Sequence, residues 1–185
     1  KKFLEKTSMI PIKGGLDNFL LNDPNKCSHA IVAVGVENLA EITKKLLRYG
    51  IQNILVEKPA GINKKEIIEV AKLTKEKNAN VYVAYNRRFY ASVIKAKEII
   101  KNDGGVSSFN FEFTEWSHTI EKLEKAPGIK ENWFLGNSTH VVDLAFHLGG
   151  KPKDIATFVK GSINWHPSSS IFSGAGISIS GALFS

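Results

Sequence analysis

The chain has 185 residues, of which 43% are hydrophobic and 23% charged, a balance typical of a globular protein with one or two domains. No run of the sequence approaches the roughly 18 consecutive apolar residues of a membrane-spanning helix, so we expect no membrane partner. The net charge of +7 is spread over segments where lysine alternates with glutamate, which argues against a nucleic-acid partner. The single cysteine, Cys27, fits a reducing compartment and predicts a cytoplasmic location.

The first half of the chain alternates predicted strands and helices. The apolar run at 54–56 predicts a strand buried on both faces, as in a parallel sheet. Asn38 and Asn63 each precede a glutamate by three residues, the capping-box pattern that begins a helix, and Gly50 suits a helix end. The predicted order is strand 30–35, helix 39–49, a strand ending at 57, helix 64–77 and strand 81–85. Such alternation predicts parallel pairing through right-handed crossovers, which is half of a doubly wound α/β sheet.

The pattern changes after Asn86. A helix is predicted over 92–101, and residues 106–116 alternate between apolar and polar side chains, which predicts an antiparallel strand with one wet face. The further predicted elements are a helix over 138–148 and strands over 155–161 and 170–185. The α/β portion followed by a mainly antiparallel sheet predicts two domains, 1–86 and 87–185. Because the chain begins with lysine and ends inside an alternating run, we expect it to be part of something longer.

A charged side chain follows the strand that ends at Glu57. In open α/β sheets, ligands bind beyond the carboxyl ends of the strands, and Lys58 is at such an end. Pro59 restricts the backbone of the preceding residue to extended geometry. The pattern therefore favours a lysine aimed into a ligand crevice, with a solvated loop lysine as the alternative.

The predicted helix over 138–148 carries His140, Asp143 and His147 on one face. With Asn137 or Ser138 as N-cap, His140 lies in the first turn, where the helix dipole disfavours the protonated imidazole. A neutral imidazole is suited to act as a general base. The alternative is a structural histidine bonded to Asp143. A metal site at these three residues lacks a second ligand cluster, so no metal is predicted.

Three ordered landmarks resemble the Gfo/Idh/MocA family, the relatives of glucose–fructose oxidoreductase and inositol dehydrogenase. They are the segments 56–59 (Val-Glu-Lys-Pro), 84–89 (Ala-Tyr-Asn-Arg-Arg-Phe) and 136–144 (Gly-Asn-Ser-Thr-His-Val-Val-Asp-Leu). The resemblance implies an N-terminal Rossmann domain that binds NAD or NADP. It also implies a C-terminal domain with an open, mainly antiparallel sheet, which carries substrate contacts and often the interface of a homo-oligomer. The implied reaction is hydride transfer to or from a secondary alcohol of a sugar, cyclitol or nucleotide sugar.

The resemblance assigns the catalytic roles to Lys58 and His140. His140 takes the hydroxyl proton while the Lys58 ammonium stabilises the developing oxyanion. The Lys58–Pro59 bond is expected to be cis, as it frequently is in the family. Cofactor contacts are predicted for Val34, Gly35, Val36, Glu57, Lys58, Pro59, Asn86 and Arg88. Substrate contacts are predicted for Lys58, Trp133, Asn137, His140 and Asp143, with Arg87 as a further candidate.

The sequence also departs from the family pattern. Gly136 stands where many relatives carry an aspartate, four residues before the histidine. Residues 34–36 (Val-Gly-Val) replace the Thr-Pro-Asn of many relatives. The Gly-x-Gly-x-x-Gly turn that binds a pyrophosphate occurs nowhere in the sequence, and by the family layout it would precede Lys1. These departures leave open a second hypothesis, a non-catalytic ligand-binding or regulatory protein with the same fold.

Overall fold

The structure is a computed structural model that describes residues 10–22, 27–166 and 169–185; the other parts of the predicted domains 1–86 and 87–185 lie outside the described residues. Its helices are α1 (Gly15–Asn22), α2 (Leu39–Tyr49), α3 (Lys64–Glu76), α4 (Ala91–Asn102), α5 (Ser117–Ile120) and α6 (Thr139–Gly149). Its strands are β1 (His29–Val32), β2 (Asn53–Val56), β3 (Asn80–Val83), β4 (Ser108–Phe109), β5 (Pro152–Lys160), β6 (Ile171–Ser178) and β7 (Leu183–Phe184). Val36–Asn38 and Asn86–Phe89 form 3₁₀ turns, and Phe134–Ser138 forms a π-helical turn. Within the described ranges, none of the helices is long and apolar enough to cross a membrane.

The first sheet is parallel, in the order β1-β2-β3, as the sequence predicts. Right-handed crossovers through α2 and α3 bring both helices to the same face of the sheet. Val32, Ile54 and Val56 on that face are at most 2% exposed and pack in one core cluster with Leu39 and Leu47 of α2. Burial of this cluster fixes the register of the three strands, because a slip of one residue would turn every apolar side chain to the other face.

The opposite face of this sheet is open, so the prediction of a strand buried on both faces is wrong. Ile31, Leu55 and Tyr82 are in register across the three strands and are 76%, 41% and 63% exposed. Successive side chains of a strand point to opposite faces, and α2 and α3 cover only one of them. The apolar run in the sequence shows that both faces of the strand carry apolar side chains. It does not show whether other elements pack on one face or on both.

The two asparagines predicted to cap helices differ in the structure. The side chain of Asn63 accepts a hydrogen bond from the backbone N–H of Glu66 at 3.0 Å, and the Glu66 carboxylate accepts one from the N–H of Ile62 at 2.9 Å. The predicted cap of α3 is therefore confirmed, with the return bond one residue earlier than in a capping box. Asn38 makes no side-chain cap bond because it is already helical at the end of the 3₁₀ turn, so that prediction is wrong. Gly50 ends α2 in the left-handed region, as predicted.

The second sheet has the order β4-β7-β6-β5. Its β5–β6 and β6–β7 pairs are antiparallel, but β4 runs parallel to β7, so the predicted antiparallel strand over 106–116 is wrong in direction and in length. The predicted alternation is confirmed, because Phe109 and Phe111 both pack edge-on against Phe146 of α6, and Phe113 lies near Phe134. Alternation of apolar and polar side chains shows which residues of an extended segment share a face. It does not show whether the adjacent strand runs parallel or antiparallel.

The helix that carries His140 begins earlier than predicted. Helical backbone continues from Trp133 through the π-helical turn into α6, so Asn137 and Ser138 lie inside the helix and are not its N-cap. His140 is therefore about two turns from the start of the helical segment, beyond the reach of the dipole of the first turn. The polar residues of the π-helical turn interrupt the regular spacing of apolar residues along the helix. In the sequence they therefore resemble a helix cap.

The two asparagines provide a matched test of the capping contacts. Asn63→Ala is expected to lower the free energy of unfolding by about 1 kcal/mol, because the N–H of Glu66 loses its acceptor. Asn38→Ala serves as the control and should change it by less than about 0.5 kcal/mol, as for an ordinary surface substitution. Urea unfolding of both variants measures the difference, and equal losses would contradict this assignment of the caps.

Candidate active site

Lys58 lies at the edge of the first sheet where the carboxyl ends of its parallel strands meet. It directly follows β2 and Glu57, its side chain is half-buried, and its peptide bond to Pro59 is cis, as expected. Its Nζ donates a 2.6 Å hydrogen bond to the backbone carbonyl of Gly136 in the π-helical turn. This bond joins the parallel sheet to the helical segment that carries His140.

Burial lowers the pKa of the Lys58 ammonium, and the charges around it act in both directions. The carboxylates of Glu57 and Glu115 raise this pKa, while the guanidinium of Arg87 lowers it further. Glu57 also accepts a hydrogen bond from the Lys58 backbone N–H at 3.2 Å. Two carboxylates therefore partly offset the effect of burial on the pKa of Lys58.

His140 lies four residues after Gly136 on the same helical segment. Its ring packs edge-on against Tyr85, with the two centroids 5.9 Å apart. Burial lowers the pKa of the imidazole, and the positive charges of Lys58 and Arg87 lower it further. The low pKa predicted from the sequence is thus correct in direction, but burial and nearby cations cause it instead of the helix dipole. Its Nδ1 atom is buried and has no hydrogen-bond partner within the part of the chain that the structure describes.

Arg88 and Asp143, predicted to contact cofactor and substrate, are paired with each other. The Arg88 Nε donates to Asp143 Oδ2 at 2.8 Å, and a second bond from the same guanidinium completes a bidentate pair. The guanidinium also lies over the ring of Tyr85, 5.6 Å from its centroid. Asp143 therefore supports the ring that packs on His140 instead of bonding the imidazole directly.

The Arg88–Asp143 pair borders a cavity of about 420 Å³ between α6 and the start of β5, which is lined by neither Lys58 nor His140. Among the described residues, no group of three or more histidine, cysteine, aspartate or glutamate side chains could hold a metal ion.

Of the two remaining predicted substrate residues, Trp133 precedes the π-helical turn and Asn137 lies within it, and both contact protein. The ring of Trp133 packs edge-on against Trp165, with centroids 6.0 Å apart. The side chain of Asn137 donates to Glu115 Oε1 at 2.7 Å. Neither Glu115 nor the Gly136 carbonyl was predicted as part of the site. A Cβ built on Gly136 would meet nothing within 4 Å, so the structure leaves open space beside the carbonyl that holds Lys58.

The residues after β1 and β3 lie at the carboxyl edge of the parallel sheet, where open α/β sheets bind ligands. Val34 and Gly35 follow β1 at the same edge as Lys58; the Val34 side chain is 41% exposed, and Gly35 is exposed with the flexible Glu37 side chain against its backbone, while Val36 begins a 3₁₀ turn. Asn86 begins the corresponding turn after β3. An exposed apolar side chain beside a backbone without a Cβ suits the close approach of a flat ring and its ribose. Contacts to the pyrophosphate would need a glycine-rich turn, which the 185 residues do not contain.

Comparison with known proteins finds similarity to the same family that the three sequence landmarks resemble. Residues 6–85 match the family described as oxidoreductase, NAD-binding Rossmann fold. The chain is 29% identical over 150 residues to the protein named Uncharacterized oxidoreductase YhhX of Escherichia coli (strain K12), covering 80% of this chain and 42% of that protein.

Solved structures share the fold of the whole described chain. WlbA dehydrogenase from Bordetella pertussis, in complex with NADH and UDP-GlcNAcA, aligns with a TM-score of 0.74 at 15% identity, over 99% of this chain and 54% of that one. Levoglucosan dehydrogenase, in complex with NADH and levoglucosan, aligns with a TM-score of 0.69 at 21% identity, over 90% and 48% of the two chains. The chain thus spans about half the length of the proteins it matches. Over residues 6–85 it is similar to the NAD-binding Rossmann segment of Gfo/Idh/MocA-type oxidoreductases.

Proposed function

We propose that this protein is a NAD(P)-dependent dehydrogenase or reductase that transfers a hydride to or from a secondary alcohol of a sugar-like substrate. The observation that carries the proposal is the hydrogen bond from Lys58 Nζ to the Gly136 carbonyl, which brings the ammonium to the helical segment of His140 at the carboxyl edge of the parallel sheet. Two solved structures with this fold hold NADH together with UDP-GlcNAcA or levoglucosan, which supports a carbohydrate as the substrate class.

Lys58 and His140 have different roles at the alcohol oxygen. In the oxidising direction, His140 accepts the hydroxyl proton, and in the reducing direction it returns that proton. Lys58 has three N–H donors, one of which is bonded to Gly136; the other two make no hydrogen bond to the described residues and can stabilise the developing oxyanion. The bound dinucleotide supplies the hydride acceptor or donor. The positive charge of Lys58 disfavours protonation of His140, which favours the neutral imidazole that alcohol oxidation requires.

The division of the chain into two domains is part of the proposal. Residues 1–86 would form part of the cofactor domain, in which Val34, Gly35, Val36, Glu57, Pro59 and Asn86 lie at or near the carboxyl ends of parallel strands. Residues 87–185 would form part of a domain for substrate binding and oligomerisation. Its outer strand β5 carries Ile155, Phe158 and Val159, which are 52%, 71% and 63% exposed, and this supports a homo-oligomer formed through the second sheet.

Removing either side chain should depress turnover much more than cofactor binding. Lys58→Ala and His140→Ala are each expected to lower kcat by about 10²–10⁴-fold, with little change in the Kd for NADH, because the lost interactions act on the substrate oxygen. The assay uses the full-length protein with NAD and NADP and a panel of sugars and nucleotide sugars that includes levoglucosan and UDP-GlcNAcA.

The controls are an exposed lysine of α3 and a histidine at the amino end of β1. Lys72→Ala and His29→Ala should leave kcat unchanged, because both residues lie away from the carboxyl edge of the sheet. Full turnover by either site variant would remove that residue from the chemistry. Binding of a sugar by a wild-type protein that turns over none of the panel would favour the regulatory alternative.

The pH dependence of alcohol oxidation should be bell-shaped. Rate is lost on the acid side when His140 is protonated and on the alkaline side when Lys58 loses its proton. Because both pKa values are lowered, the acid limb of kcat/KM should lie below pH 6.5 and the alkaline limb below pH 10.5, the ordinary values for the two side chains. Lys58→Arg keeps the charge at all accessible pH values, so any activity it retains should lack the alkaline limb. An unchanged alkaline limb in this variant would show that another group titrates there.

A further inference from the structure

Glu115 contacts the turn that holds Lys58, although it comes from a distant part of the sequence. Its Oε1 accepts hydrogen bonds from the Asn137 side-chain amide at 2.7 Å and from the Ser138 hydroxyl at 3.2 Å. These two residues directly follow Gly136, whose carbonyl accepts the 2.6 Å bond from Lys58 Nζ. A continuous set of contacts therefore runs from the Glu115 carboxylate through the π-helical turn to the Lys58 ammonium.

We propose that Glu115 is a positioning residue for Lys58: its carboxylate holds the π-helical turn so that the Gly136 carbonyl stays directed at the ammonium. The catalytic consequence of this inference rests on the proposed dehydrogenase function. The contact itself, and its effect on the charge of Lys58, do not depend on any reaction.

The position of Glu115 follows from the alternation of the segment that precedes it. Phe109, Phe111 and Phe113 point inward, toward Phe146 of α6 and Phe134 of the π-helical turn. Glu115 is the next residue with the same parity, so the extended backbone directs it to the same side. The acidic side chain thus meets the π turn where the apolar series ends.

Two carboxylates act on the charge of Lys58, and Glu115 has the smaller effect of the two. Burial of Lys58 and the guanidinium of Arg87 both lower the pKa of the ammonium. The imidazole of His140 carries no negative charge that could offset them. Two carboxylates oppose them, Glu57 from the strand that leads into Lys58 and Glu115 from the other half of the chain. Glu57 is already bonded to the Lys58 backbone N–H. Glu115 is the carboxylate that also bonds the side chains of the turn which holds the ammonium.

The protonation of Lys58 can be measured without any substrate. Competitive labelling of the full-length protein with acetic anhydride, followed across pH by mass spectrometry of the Lys58 peptide, gives the pKa of this amine. Glu115→Gln keeps an acceptor oxygen for Asn137 and Ser138 but removes the charge, so the pKa of Lys58 should fall and its reactivity at a fixed pH should rise several-fold. Glu115→Asp, which retains the charge, should stay closer to the wild type.

The matched control is Glu112→Gln, on the outward side of the same extended segment, which should leave the labelling curve of Lys58 unchanged. Thermal unfolding of each variant checks that the fold is intact, as expected for substitutions of exposed side chains. An unchanged labelling curve in a folded Glu115→Gln variant, or an equal shift in Glu112→Gln, would overturn the inference.

The same variants separate this inference from the proposed function. With an active enzyme, Glu115→Gln should move the alkaline limb of kcat/KM to lower pH and leave the Kd for NADH unchanged, which a general loss of structure would not do. If the wild type oxidises none of the alcohols tested, the proposed function fails, and the labelling experiment still decides the role of Glu115. If turnover depends on Lys58 but the labelling curve of Lys58 is the same in the wild type and in Glu115→Gln, only the inference fails.

Discussion

The hydrogen bond between the Lys58 ammonium and the Gly136 carbonyl is the contact on which the rest of the site depends. It fastens the carboxyl edge of the parallel sheet to the helical segment of His140, two parts of the chain that are far apart in sequence. A half-buried ammonium needs partners to remain charged, and the fold supplies this carbonyl together with the carboxylates of Glu57 and Glu115. The same positive charge adds to burial in lowering the pKa of His140, so the charge of Lys58 affects the protonation of both side chains.

The local structure could be predicted wherever one segment carries its own signal. Helix α2 spans 39–49 as predicted, because its apolar stripe and the glycine that follows it are both contained in the segment. The open face of the first sheet and the parallel pairing of β4 with β7 could not be predicted, because they depend on elements distant in sequence. The π-helical turn escaped prediction since its polar residues imitate a helix cap.

In the site, too, residues with a signal in their own segment could be predicted, and contacts between distant residues could not. Lys58 could be singled out because a strand end and a proline fix its surroundings, and His140 because its helix and the family resemblance agree. The pairing of Arg88 with Asp143 could not be predicted, because it joins residues 55 positions apart. Glu115 has the parity of the inward phenylalanines, a signal present in the sequence, but its partners on the π turn are visible only in the fold.

The coupling of the two catalytic candidates is tested most directly by an NMR titration of the His140 imidazole in the wild type and in Lys58→Met, which replaces the ammonium by an uncharged side chain of similar length. Removing the positive charge should raise the pKa of His140 toward the ordinary histidine value of 6.5. A pKa below 6.5 in the wild type that rises in the variant would agree with one shared site. An identical pKa in the two proteins would show that the side chains do not act on the same alcohol.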